Sequence, residues 1–102
     1  MAENLKKSSF DPHVNDKFEV NTDIHGVVEV KLVEVSEHNR ENLECFSLLF
    51  KGPKDQLFDQ KIYKVRHDKM GELDLFLVPV VHTKQDAFYY ESVFNRLIEE
   101  KS

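Results

Sequence analysis

Glycine is scarce in this chain: Gly26, Gly52 and Gly71 are the only three among 102 residues, and each stands alone. That excludes the glycine-rich loops that cradle phosphates or dinucleotides, which need several glycines close together. Cysteine is scarcer still. The single thiol, Cys45, can close no disulfide within the chain, so a reducing, cytoplasmic setting is expected; flanked by Leu43 and Phe46, it reads as a small core residue. No apolar run approaches the ~18 residues of a membrane-spanning helix, and the stretch from Met1 to Lys7 lacks the apolar region of a secretory signal, so no membrane partner is expected. Basic charge is also short. Nineteen acidic residues against 14 basic ones give a net charge of −5, which argues against a protein that binds nucleic acid by neutralising phosphates.

Reaction chemistry is missing as well. Ser36, Ser47 and Ser92 lack the glycine pattern of a nucleophile elbow. The five histidines, His13, His25, His38, His67 and His82, fall in or beside turns and form no HxH or HxxxH pair, so they read as solvated loop residues. Only His67 and His82 are candidates to converge at one end of a barrel, and no metal or other cofactor is expected. Glu41 with Glu44, and Glu72 with Asp74, are candidate acid/base pairs, but alternating carboxylates on strands ordinarily form a solvated face.

What the chain does have is β-type patterning. At 40% apolar and 32% charged residues it is an ordinary globular composition, long enough to bury one core without staples. Residues 1–9 read as a mobile arm, residues 10–98 as one all-β domain, and residues 99–102 as a tail. Phe10 to Val14 makes a short helical turn with Ser9 as N-cap and Pro12 in the first turn. Asn15 and Asp16 turn the chain into a strand over Lys17–Asn21. From Val27 to Ser36 the apolar set begins as Val28, Val30 and Leu32, then changes phase to Val33 and Val35, the signature of a β-bulge or sharp bend. Leu43–Phe50 is apolar on both faces and reads as a central strand. After the Gly52-Pro53 turn, Leu57 and Phe58 are candidates to fold inward.

Lys61–His67 and Glu72–Val81 form a hairpin through Asp68-Lys69-Met70-Gly71, with Gly71 as the left-handed residue. Pro79 cannot donate to a ladder, so its end of the strand lies at an edge or bulge. Phe88 to Phe94 reads as the last strand, although residues 90–100 also fit helical spacing. About six antiparallel strands make a small barrel or a two-layer sandwich. Phe18, Phe46, Phe50, Phe76 and Phe94 compete for its interior, which disfavours a hollow ligand carrier.

Two surface features stand out. Phe88, Tyr89 and Tyr90 must point to both faces of one strand, making Tyr89 and Tyr90 candidate interface anchors. Lys64 and Arg66 share one face of their strand and are candidates to meet an acidic partner.

Phe10 to Phe18, the Phe46-Ser47-Leu48-Leu49-Phe50-Lys51-Gly52-Pro53 segment, Tyr63 and His67, Leu75 to Val80, and Tyr90 to Asn95 together resemble a small bacterial domain family of unknown function. Asn15 stands where the family is expected to have glycine. The resemblance implies an all-β bacterial domain without catalytic residues. It also implies a structural or accessory role near phage-tail-collar-like proteins. The functional expectation is a non-enzymatic protein-interaction or assembly module that binds a protein partner or itself. A small-ligand-binding barrel and an enzyme of unrecognised type are the alternatives.

Overall fold

A computed structural model of the chain describes residues 7–38, 41, 43–81 and 87–97. The N-terminus forms a single turn of helix, α1 (Lys7–Phe10), continued by a 3-10 turn over Asp11–His13. Six strands follow: β1 (Lys17–Thr22), β2 (Gly26–Glu37), β3 (Leu43–Gly52), β4 (Lys61–His67), β5 (Gly71–Val80) and β6 (Phe88–Leu97). They close into an antiparallel barrel in the order β1-β2-β3-β6-β5-β4. The fold is the small all-β barrel expected from the alternation, not a sandwich. No helix among the described residues is long and apolar enough to cross a membrane.

Each strand carries its period-2 pattern into the wall. On β1, Phe18, Val20 and Thr22 are buried between exposed Lys17, Glu19 and Asn21. On β4, Tyr63, Val65 and His67 point inward, while Lys64 and Arg66 point out. The phase change in β2 is a register shift between Leu32 and Glu34 in its ladder with β3, so the expected bulge is present. Val28, Val30 and Leu32 are buried before it, and after it the phase changes so that Val35 packs against the core. The hairpin from β4 to β5 pairs Lys61 with Leu77 at one end and His67 with Gly71 at the turn. Gly71 there has φ +78°, and Asn15 before β1 also has φ +78°; both are left-handed positions that glycine and asparagine occupy readily. The last strand runs to Leu97, so the helical alternative does not hold over residues 90–97.

Rings fill the interior. Phe18 meets Phe50 edge-on at 5.3 Å, and Phe58 stacks flat on Tyr90 at 3.9 Å. All four are fully buried. Of the two candidates after Pro53, Phe58 folds inward whereas Leu57 stays 44% exposed. Phe76 departs from expectation. It lies outside at 46% exposure, because Leu73, Leu75 and Leu77 take the inward phase of β5.

The seam between β5 and β6 is short. Among the described residues it holds three pairs: Val78 with Glu91, Pro79 with Tyr90, and Val80 with Tyr89. At Pro79 the strand has passed Leu77, its last residue paired with β4, so the proline sits where only one neighbour needs ladder bonds. The N-terminal segment packs against the barrel core. Fully buried Phe10 lies 6.0 Å from Phe46 and 5.7 Å from Phe94, which are themselves stacked. Residues 7–9 are therefore helix rather than arm, and Phe10 instead of Ser9 holds the N-cap position of the 3-10 turn. The rest of the proposed arm, the tail at residues 99–102 and His82 lie outside the described residues.

Candidate functional site

Among the described residues His67 is one of three buried polar side chains, with Thr22 and Ser92, and the only imidazole of the three. The inward phase of β4 buries it beside Tyr63 and Val65, with its ring 4.5 Å from Phe18. Its Nδ1 accepts hydrogen bonds from the backbone N–H groups of Lys69 (3.0 Å) and Met70 (3.1 Å) in the β4–β5 turn. Those donors fix the tautomer: Nδ1 holds the lone pair, Nε2 carries the proton, and Nε2–H donates to Asp16 Oδ2 at 2.9 Å. The same carboxylate oxygen accepts from His13 Nδ1 at 3.0 Å, and the two imidazoles meet edge to face at 4.4 Å. His13 belongs to the 3-10 turn and Asp16 to the turn before β1. The cluster thus latches the N-terminal segment to the end of β4. His13 and His67 are not solvated loop residues, as the sequence suggested, because the chain returns to put them together from 54 positions apart.

Three ligand-type atoms from His13, Asp16 and His67 lie within 4.8 Å of one another, the spacing of a metal site. The hydrogen bonds argue against that use. A metal needs lone pairs, and both imidazole nitrogens that face Asp16 are the protonated ones. To free the His67 Nε2 lone pair, the ring would have to move its proton to Nδ1 and give up two backbone bonds. The carboxyl of Asp16 is held below its ordinary value of 3.8, chiefly by the His67 hydrogen bond and then by the His13 one. It stays an acceptor. No hydroxyl or thiol joins the cluster among the groups bonded to it, so it holds no nucleophile for the histidines to activate.

The sequence candidates fall elsewhere. Tyr90 is not an interface anchor: its ring is stacked in the core, its hydroxyl accepts the Phe58 backbone N–H at 3.2 Å, and burial raises its pKa above 10.0. Tyr89, on the other face of β6, is 4% exposed and presents almost no surface. Lys64 and Arg66 do lie outside, but each has an acid directly across the ladder. Lys64 pairs with Asp74 at 3.2 Å, and Arg66 with Glu19 at 3.5 Å. The carboxylates Glu72 and Asp74 face Arg66 and Lys64, not each other as an acid/base pair would. Cys45 is half-buried on β3.

The surface feature the sequence reading missed is a cross-strand apolar pair. Ile62 on β4 lies directly opposite Phe76 on β5, and they are 63% and 46% exposed. Asp74, two positions before Phe76, was the available signal, since it marks the outward phase of β5. No curated protein and no solved structure matches the chain. A family model, the DUF6916 domain of unknown function, matches residues 5–94. The chain belongs to the DUF6916 family of domains of unknown function.

Proposed function

We propose that this barrel is a non-enzymatic protein-interaction module that works in the bacterial cytoplasm and binds a protein partner, or a second copy of itself, through the outer face of the β4–β5 hairpin. The observation that carries this reading is the Ile62–Phe76 pair. A branched aliphatic and an aromatic set side by side in solvent contribute little to a core already filled with rings, while such pairs are common at the centres of protein contacts. Val93, two positions beyond the last β5 partner on β6, adds a further 55% exposed apolar side chain. The filled interior weighs against a small-ligand carrier. The inward-satisfied His13–Asp16–His67 cluster weighs against hydrolytic chemistry. The resemblance implies a setting beside a phage-tail-like structure, where a small accessory would join larger components.

The test is quantitative capture from the protein's own cells with three baits: wild type, Phe76→Asp, and Val81→Asp as a control at a 93% exposed site. Circular dichroism verifies that all three fold. A protein held by wild type and Val81→Asp but lost with Phe76→Asp supports the reading, as does a homodimer with the same dependence. A monomer whose captured proteins are indifferent to Phe76→Asp overturns it.

A further inference from the structure

The seam between β5 and β6 is unpaired along most of its length. Each strand spans ten residues, yet among the described residues their ladder runs only from Val80–Tyr89 to Val78–Glu91. Beyond it, β5 from Gly71 to Leu77 pairs with β4 alone, and β6 from Ser92 to Leu97 pairs with β3 alone. The other three-pair ladder, between β1 and β4, joins strands of six and seven residues and leaves shorter runs over. In an antiparallel ladder alternate residues turn their N–H and C=O away from the neighbour, so a run with one neighbour presents a row of backbone donors and acceptors on its other side. No turn or loop backbone bond among the described residues reaches either run.

Edges of this kind are ordinarily blunted by lysine, proline or a bulge. From Gly71 to Leu77 β5 has no lysine and no proline, and its ladder with β4 runs without a register shift. Its charges are two exposed carboxylates, Glu72 and Asp74, which repel a second acidic edge and suit a basic one. Continuing the register of the seam sets Phe76 level with Val93, and Asp74 level with Asn95. All four of these side chains are exposed, while Leu73, Leu75 and Leu77 between them are buried.

We propose that the free edge of β5 takes an extended segment of a partner protein as an added strand, with basic and apolar side chains alternating along its outward face and small ones along its inward face. The row of backbone groups dictates the extended form, since another strand meets every second residue of it. At the level of Phe76 and Val93 the outward side chain is apolar; at the next outward position, beside Asp74, it is lysine or arginine. Asp74 accepts from Lys64 on its β4 side at 3.2 Å, so the added base approaches from the opposite side, and β4 lies two strand spacings, about 10 Å, from the new strand. Inward side chains are small because rings and leucines fill the interior. A second copy fits less well: pairing β5 with β5 brings Glu72 and Asp74 alongside their own copies, between chains of net charge −5. The inference names the form and chemistry of the partner for the protein-interaction reading and rests on it.

Fluorescence anisotropy tests it with a labelled peptide of about eight residues, alanine at every second position and lysine and valine alternating between them. Two further peptides keep those side chains but carry N-methyl groups on the amides of one edge or of the other. Wild type should bind the unmodified peptide saturably and at least one methylated peptide about tenfold or more weakly, because side-chain docking survives methylation and strand pairing does not. Asp74→Lys should weaken binding by about threefold or more, while Glu29→Lys, the same charge change on β2, alters it by less than about twofold. Backbone amide NMR shifts on binding should concentrate between Gly71 and Leu77. Absence of saturable binding overturns the proposal, as do equal affinities for all three peptides or shifts centred on another strand. A dimer formed without peptide, with shifts over Gly71–Leu77 on dilution, overturns the choice of partner in favour of a second copy. If the peptide fails while capture still depends on Phe76, strand addition alone is refuted; if capture fails as well, the protein-interaction reading falls with it.

Discussion

Charge is arranged in two different ways on this barrel. Around β4, Lys64 and Arg66 each meet an acid across the ladder, and the inward His67 is satisfied on both ring nitrogens by the turn and by Asp16. Across β1, β2 and β3, lysine meets lysine twice in succession. The first arrangement stabilises the folded chain and leaves nothing over for a ligand. The second sets like charges side by side, which costs some stability locally. A polar cluster is therefore informative according to whether its bonds close on themselves, more than by the residue types in it. By that criterion the His13–Asp16–His67 group is architecture although its composition suggests a metal site.

The largest effect expected on the satisfied side comes from His67→Ala. It empties a buried ring position beside Phe18 and strips the Lys69 and Met70 N–H groups of their acceptor, so thermal unfolding should show a loss of about 3 kcal/mol. Asp16→Asn should cost less and should change the acid limb of stability. A carboxyl whose pKa is lowered in the folded state stabilises at pH above its unfolded value, near 3.8, and the benefit disappears as pH falls through the lowered folded value. Urea denaturation of wild type and Asp16→Asn should differ most above pH 3.8 and converge below it; a constant gap would mean that the latch works by packing alone.

The comparison between faces is sharpest in a matched pair of charge reversals. Lys64→Glu puts a carboxylate opposite Asp74 and should destabilise by about 0.5 kcal/mol, whereas Lys31→Glu should stabilise by a similar amount. Effects of the same sign would erase the distinction between the two faces. The smallest effect expected is none: added zinc should leave Tm unchanged, because the imidazole nitrogens facing Asp16 carry protons engaged in the latch. A zinc-dependent rise in Tm that His13→Ala abolishes would convert the latch into a metal site.

Much of the wall was legible in the sequence, for a local reason. A strand with one buried face must alternate, so Lys17–Asn21 and Lys61–His67 read directly, and the phase change after Leu32 marked a bulge or sharp bend, of which the ladder shows the bulge. The hairpin at Gly71 and the left-handed Asn15 were equally local. Phe76 was misread because β5 is apolar on both faces, and only Asp74 fixes the phase. The same parity argument could have placed His67 indoors with Tyr63 and Val65. Its partners could not have been found that way, since Asp16 is 51 positions away and meets it only when the barrel closes. The lysine row was hidden for the same reason. Opposition across strands depends on register, and the β2–β3 register passes through the bulge.

The three-pair seam between β5 and β6 has a consequence for how the molecule moves. Pro79 brings no N–H to that ladder, so the closing contact is held by fewer hydrogen bonds than its length suggests, whereas β3 and β6 are joined over ten pairs. The β4–β5 hairpin is held by three-pair ladders on both sides, β5 to β6 and β4 to β1, so it is the expected unit of transient opening. Among the β5 amides hydrogen-bonded within the sheet, exchange should be fastest at Val78 and Val80. The exposed Ile62–Phe76 pair lies on this hairpin, so any opening of the barrel would carry that surface with it.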